Sequence, residues 1–176
     1  MKRVLLLTGK PSTGKTTIIK EAIARTGIKA GGFYTEEIRS SGMRQGFKIV
    51  TLNGEEAPLA HIKIHSPYQV SKYKVDIDSL DKVGVAALQQ ALEESNLIVV
   101  DEIGKMELWS PRFKEILLRS LGSGKRVLGT IMLNTHPFAD EIKARQEVKT
   151  LLVTTANRNE VLKEVLSWLK ESDSRF

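Results

Sequence analysis

Apolar residues along the chain fall into short unbroken runs and longer helical stripes, and their order predicts the architecture. Val4-Leu5-Leu6-Leu7 contains no polar residue and closes on a glycine-rich turn, the pattern of a strand buried on both faces in a parallel sheet. Ile18, Ile19, Ala22 and Ile23 then recur at helical spacing, and Gly27 stops that helix after Arg25. Between Ala30 and Asp76 the texture changes to short runs rich in β-branched and aromatic residues, punctuated by Ser40-Ser41-Gly42 and Asn53-Gly54. Such punctuation predicts antiparallel hairpins, hence a β insertion over about residues 30–76.

The second half returns to strand and helix in alternation. Ser79 is the expected N-cap of a helix carrying Leu80, Val83, Ala87, Ala91 and Leu92 to about Asn96. Leu97-Ile98-Val99-Val100 is a second uniformly apolar strand, ending in Asp101-Glu102. Ser110-Pro111 opens a helix with Phe113, Ile116, Leu117 and Leu121 on one side, closed by Gly122. A strand at Val127 to Ile131, a short helix from His136-Pro137 through Ile142 and a last strand at Leu151 to Val153 follow. Asn157 with Glu160 resembles a capping pair for a terminal helix with Val161, Val165, Leu166 and Leu169 buried, and the tail from Ser172 is expected to fray. This order predicts one α/β domain over residues 1–176, with crossover helices and one inserted β element.

Gly9-Lys10-Pro11-Ser12-Thr13-Gly14-Lys15-Thr16 lies between the first strand and the first helix and matches G-x-x-x-x-G-K-[ST]. Two glycines allow the backbone to wrap a polyphosphate with its N–H groups inward, and the helix N-terminus, running on through Thr17, adds partial positive charge. Lys15 is placed for the β and γ phosphates, and Thr16 carries a hydroxyl suited to Mg²⁺. Asp101, at the end of its strand 85 residues later, is the expected carboxylate for that ion. Glu102 beside it has the chemistry to activate an attacking water.

The bulk properties narrow the partners. The 176 residues are 41% apolar and 27% charged, enough for one core without a metal or disulfide, and the absence of cysteine removes thiol chemistry. No apolar run is long enough to span a membrane or serve as a secretory signal, which predicts a cytoplasmic protein. The net charge of +6 lies wholly in the first half, where it suits a phosphate ligand. A nucleic-acid partner is not favoured, because no basic stripe is interleaved with aromatics.

Two longer stretches carry a family resemblance: Asp101-Glu102-Ile103-Gly104-Lys105-Met106-Glu107-Leu108, and Gly32-Phe33-Tyr34-Thr35-Glu36-Glu37-Ile38-Arg39. With Tyr73-Lys74-Val75-Asp76, Gly129-Thr130-Ile131, His136-Pro137 and Asn157-Arg158, they make the chain similar, nearly end to end, to the small P-loop nucleoside-triphosphatases first described from thermophiles. The human relative of that family is the cancer-related nucleoside-triphosphatase. The resemblance implies a three-layer, RecA-like, mostly parallel sheet in which another strand separates the P-loop strand from the Asp101 strand. It also implies Mg²⁺-dependent hydrolysis of ATP, GTP and other nucleoside triphosphates by a monomer. The chain departs from the family pattern at Met132, where proline is usual, and at Ala156, where glutamate is usual.

On this reading Lys15, Glu102 and Lys105 are catalytic, and Thr16 with Asp101 holds the metal. The nucleotide is lined by Gly9 to Thr17, Ile98 to Lys105 (Ile98, Val99, Val100, Asp101, Glu102, Ile103, Gly104) and Arg158. Lys105 is cast as an internal counterpart of an arginine finger, or as a solvated lysine paired with Glu107. Thr130 is either a γ-phosphate sensor or a packed strand end, and Glu36, Glu37 and Arg39 either line the cleft or solubilise a hairpin. His61 and His65 are weak metal candidates, and Trp109 and Trp168 read as packing. Two other activities fit the motif: a nucleotide or small-molecule kinase, with the insertion over residues 30–76 as acceptor lid and Arg39, Arg44 and Lys48 as acceptor clamp, and an ATP-dependent nucleic-acid-binding module.

Overall fold

A computed structural model describes residues 2–171. The elements run β1 (Val4–Thr8), α1 (Lys15–Thr26), β2 (Ala30–Ser40), β3 (Met43–Thr51), β4 (Glu56–His61), β5 (Gln69–Val70) and β6 (Tyr73–Val75). They continue with α2 (Ile77–Ser79), a π-helical segment Leu80–Val85, α3 (Ala86–Glu94), β7 (Leu97–Ile103) and a 3₁₀ turn Glu107–Trp109. Then come α4 (Pro111–Leu121), β8 (Arg126–Ile131), α5 (Pro137–Lys143), β9 (Val148–Leu152) and α6 (Arg158–Glu171). The fraying expected from Ser172 lies outside the described residues.

The strands form one nine-stranded sheet in the order β5-β6-β4-β3-β2-β7-β8-β1-β9. β8 stands between β1 and β7 and pairs in parallel with both, as the RecA-like expectation requires. Every residue of β1 is buried, because helices cover both faces. On one face Leu5 and Leu7 pack with Ile18, Ile19 and Ala22 of α1 and Val161, Val165 and Trp168 of α6. On the other, Val4 and Leu6 share a core with Leu88 of α3, Phe113 and Leu117 of α4 and Ile142 of α5. Alternation along a strand thus divides one run of leucines between two cores.

The β insertion is continuous with this sheet. Ala30–Phe33 of β2 pair in parallel with β7, while Phe33–Ser40 pair antiparallel with β3 on the opposite edge. One strand therefore belongs to both halves, and the hairpins lengthen the sheet instead of forming a separate lid.

The helix after the insertion begins earlier than Ser79. Asp76 is its N-cap, accepting from Ser79 N–H at 3.0 Å and from the Ser79 hydroxyl at 2.9 Å. The segment widens to π geometry over Leu80–Val85, where Gly84 lets the helix approach Ile49 and Phe33. Ser110 and Pro111 behave as the sequence predicts, with the Ser110 hydroxyl accepting from Phe113 N–H at 3.0 Å. His136 also caps its helix, accepting from Phe138 N–H. Asn157 does not cap by side chain: it accepts from Thr154 N–H and donates to Leu152 C=O, each at 2.8 Å, pinning the loop before α6. Trp168 is buried, but Trp109 is 45% exposed and leans on Tyr68 at 5.3 Å between ring centroids.

Candidate active site

The loop between β1 and α1 has the backbone the motif demands. Gly9 and Gly14 have φ of 152° and 94°, and Ser12 also lies at positive φ. A Cβ on Gly9 would collide with the carbonyl oxygen of Val153, so glycine is needed both for its φ and for this close approach. No side chain caps α1, whose first-turn N–H groups face the loop. Lys15 arches over the loop and donates from Nζ to the carbonyls of Gly9 and Lys10, both at 2.8 Å. The Thr13 hydroxyl also donates to Lys10 C=O, at 2.9 Å, drawing the turn closed. Partial burial lowers the Lys15 pKa, and Glu102 and Asp101 oppose that fall.

Thr16, on the first turn of α1, donates its hydroxyl to Asp101 Oδ2 at 2.6 Å, joining two segments 85 residues apart. Thr130 of β8 donates to Asp101 Oδ1 at 2.6 Å, and Thr35 of β2 donates to the Asp101 carbonyl at 2.6 Å. Three threonines from three elements thereby fix one residue. Thr130, wholly buried, is a positioning residue for Asp101, a role distinct from the γ-phosphate sensor or packed strand end that the sequence offers. Burial raises the Asp101 pKa, and the two hydroxyls with nearby Lys15 pull it back.

Asp101 and Glu102 sit in a bulge. Between Val100↔Gly129 and Ile103↔Ile131, β7 advances three residues while β8 advances two. The extra residue re-aims the acidic pair at the strand ends, and the peptide joining the two residues is cis. Glu102 borders the open cleft, with its pKa raised by burial and by Asp101. Gly104 lies beneath it: a Cβ there would collide with Glu102 Oε1 and stand 3.3 Å from Glu107 Oε2. Glu107 is 3% exposed, and burial together with Glu102 raises its carboxyl well above the usual range. The 3₁₀ turn carries Glu107 inward, out of solvent.

The remaining site candidates separate by position. Arg158 lies against the loop, its Cδ and Nη1 2.9 and 3.0 Å from where a Gly14 Cβ would stand. Lys105 is exposed and borders the same cleft as Lys15 and Glu102. Thr17 is exposed on the first turn of α1. Ile98, Val99, Val100 and Ile103 are wholly buried, so they support the acidic pair from the core and do not line a ligand surface. Glu36 pairs with Lys20 at 3.1 Å, away from the phosphate loop, whereas Glu37 lines the cleft and holds Arg39 and Arg44 at 2.8 and 3.2 Å. His61 accepts from Lys63 N–H, and no group of three or more His, Cys, Asp or Glu suited to a metal occurs among the described residues. An ion here would rest on Thr16, Asp101 and a ligand's own phosphates. Those are hard oxygen donors in the small number Mg²⁺ takes from protein.

Comparison with known proteins gives the family. A family model described as NTPase matches residues 4–166. Nucleoside-triphosphatase THEP1 of Thermotoga sp. (strain RQ2) is 48% identical over 166 residues, covering 94% of this chain and 95% of that protein. The human cancer-related nucleoside-triphosphatase is 37% identical, covering 98% and 99%. In structure, THEP1 from Aquifex aeolicus matches with a TM-score of 0.87 at 32% identity, over 95% of this chain and 99% of that one. The solution structure of the human protein matches with a TM-score of 0.82, over 98% and 99%. Matched in sequence and in fold over nearly its whole length, the chain belongs to the THEP1 family of nucleoside-triphosphatases.

Proposed function

We infer that this chain is a nucleoside-triphosphatase that works as a single-domain monomer with Mg²⁺ and accepts ATP, GTP and related triphosphates with weak discrimination among bases. One observation carries the reading: the hydroxyl of the phosphate-loop Thr16 lies 2.6 Å from Asp101 Oδ2, so the two expected metal ligands are already adjacent. The contacts described serve the phosphate tail, which all nucleoside triphosphates share, and this supports breadth toward the base. Dependence on nucleoside triphosphates supports a cytoplasmic location. Among the described residues no helix is long and apolar enough to cross a membrane.

The loop amides and Lys15 bind the β and γ phosphates and offset the charge that gathers as the terminal unit departs. Thr16 and Asp101 would hold a Mg²⁺ ion, which would supply further neutralisation of phosphate charge. Glu102, its pKa raised by burial and by Asp101, takes a proton from water as the water oxygen bonds to the γ-phosphorus. The bond from that phosphorus to the bridging oxygen breaks, and its electron pair leaves with the nucleoside diphosphate. Lys105, which borders the cleft, would screen the terminal phosphate, and Arg158, which lies against Gly14, would screen the inner phosphates.

Glu102→Gln tests the assignment. Phosphate release should fall by roughly 10²-fold or more, while nucleotide affinity, measured by calorimetry, stays within about threefold. Turnover that survives the substitution would remove Glu102 from the base role. Chelation of divalent ions should abolish hydrolysis, with recovery on adding Mg²⁺.

A further inference from the structure

The cleft beside the phosphate loop encloses about 530 Å³ and continues well past Glu102. Its far end is a chamber with Phe47, Leu59 and Val70 in its wall, contributed by the antiparallel extension of the sheet. Polarity of the bound triphosphate decides what this chamber faces. Thr16 and Asp101 mark the β and γ phosphates, so the terminal unit lies at the Glu102 end and the nucleoside leaves past Thr17 and Arg158. The chamber therefore lies beyond the terminal phosphate, on the side from which an in-line nucleophile arrives. An attacking water needs only about 30 Å³, and the apolar wall of Phe47, Leu59 and Val70 has no part in holding it.

Charge says what the chamber accepts. Arg44 donates to the Tyr73 hydroxyl at 2.9 Å and pairs with Glu37 at 3.2 Å, which also holds Arg39. Lys48 pairs with Glu56 at 3.1 Å. The three cations that the sequence offers as a clamp for a phosphorylated acceptor are thus each engaged by carboxylates, and Glu37 and Glu107 add acidic groups to the wall. On the wall built by the extension a second phosphate would meet only cations already paired, and Lys105, which borders the same cleft, is assigned above to the terminal phosphate of the nucleotide. The wall instead offers apolar surface and an aromatic pair, Phe47 against Tyr73 at 5.2 Å, with Arg44 stacked 5.1 Å from the Phe47 ring. Those surfaces suit a flat or cyclic body.

We propose that the chamber binds an uncharged, ring-bearing alcohol of nucleoside size as a second substrate, whose hydroxyl replaces the attacking water. The alcohol oxygen bonds to the γ-phosphorus as the bond to the bridging oxygen breaks, with its electron pair leaving on the nucleoside diphosphate. The hydroxyl proton goes to Glu102, and the products are a phosphate monoester and the diphosphate. This rests on the phosphate loop and Glu102 acting as assigned above.

The test uses the full chain with Mg²⁺ and γ-labelled ATP. Adenosine, cytidine, thymidine and pyridoxine serve as uncharged probes, each nucleoside set against its own 5′-monophosphate. Labelled monoester should form with at least one uncharged probe, at the expense of free phosphate, and monophosphates should be poorer acceptors. Val70→Trp, which fills the chamber, should lower the ratio of ester to free phosphate by about tenfold or more. The wild-type partition decides the matter even if that variant does not fold. The proposal is overturned by hydrolysis without ester from any uncharged probe, by preference for the monophosphates, by probe binding that only alters the rate of phosphate release, or by an unchanged ratio in Val70→Trp. Loss of the base assignment would look different: Glu102→Gln would then still hydrolyse ATP with no acceptor present.

Discussion

The hydroxyl of Thr130 donates to Asp101 Oδ1 across the junction of β8 and β7, at 2.6 Å and with both side chains buried. Thr16 holds the other carboxylate oxygen at the same distance, so the plane of the group is set before any ligand arrives. Removing one such support of a metal-binding carboxylate commonly costs 10–100-fold in metal affinity or activity. Thr130→Val should raise the Mg²⁺ concentration for half-maximal turnover by roughly tenfold or more. Thr130→Ser should restore most of the loss, which a change in strand packing alone would not predict. A Mg²⁺ titration of phosphate release reads both.

Glu107 gives the nucleotide-free protein a pH signature. Its folded pKa is held well above 4.5 by burial and by Glu102. Between the unfolded and folded values the native state binds a proton that the unfolded chain releases, so stability declines as pH rises through that window. Below the unfolded value both states are protonated and the penalty vanishes. Glu107→Gln should therefore raise Tm at pH 8 by at least about 2–4 °C, equivalent to about 1 kcal/mol in a chain of this size, and change it little at pH 4. Thermal melts at the two pH values check the sign.

Gly9→Ala sets a side chain against the Val153 carbonyl at a φ of 152°. That obstacle is backbone and cannot rotate away, so the loop must open. Nucleotide affinity should drop by roughly 10²-fold or more, since the N–H groups of the cradle act only when aimed together. Calorimetric titration with a nonhydrolysable triphosphate measures it.

Asp76, and not Ser79, carries the cap of the helix after the insertion. Asp76→Ala should cost about 1 kcal/mol in denaturant unfolding, with Ser79→Ala costing less because it removes only the 2.9 Å hydroxyl bond. A larger loss from Ser79→Ala would reverse the assignment.

Much of this site is written in consecutive residues. Val4 to Thr16 specifies strand, phosphate loop and helix start within thirteen positions, and each signal acts over one or two turns of chain. Leu97 to Glu102 is equally plain, as are the Ser110-Pro111 and His136-Pro137 caps. Thr130 and Thr35 are not legible in this way. Both stand in stretches that carry the family resemblance, yet nothing local announces that each hydroxyl faces Asp101 from a strand that pairs only in three dimensions. Glu107 misled for a related reason, because an acidic residue in a loop gives no sign that the following 3₁₀ turn will bury it.

The chain's own order of residues determines that a polyphosphate is gripped at the first strand-to-helix turn and that two acids stand at the end of a later strand, because hydrophobic periodicity, glycine placement and capping act locally. Tertiary structure alone decided that β2 belongs to both halves of one sheet and that Thr16, Thr35 and Thr130 converge on Asp101 beside a bulge in β7. Those outcomes depend on registers and contacts between segments tens of residues apart, where each partner acquires its meaning only from the other.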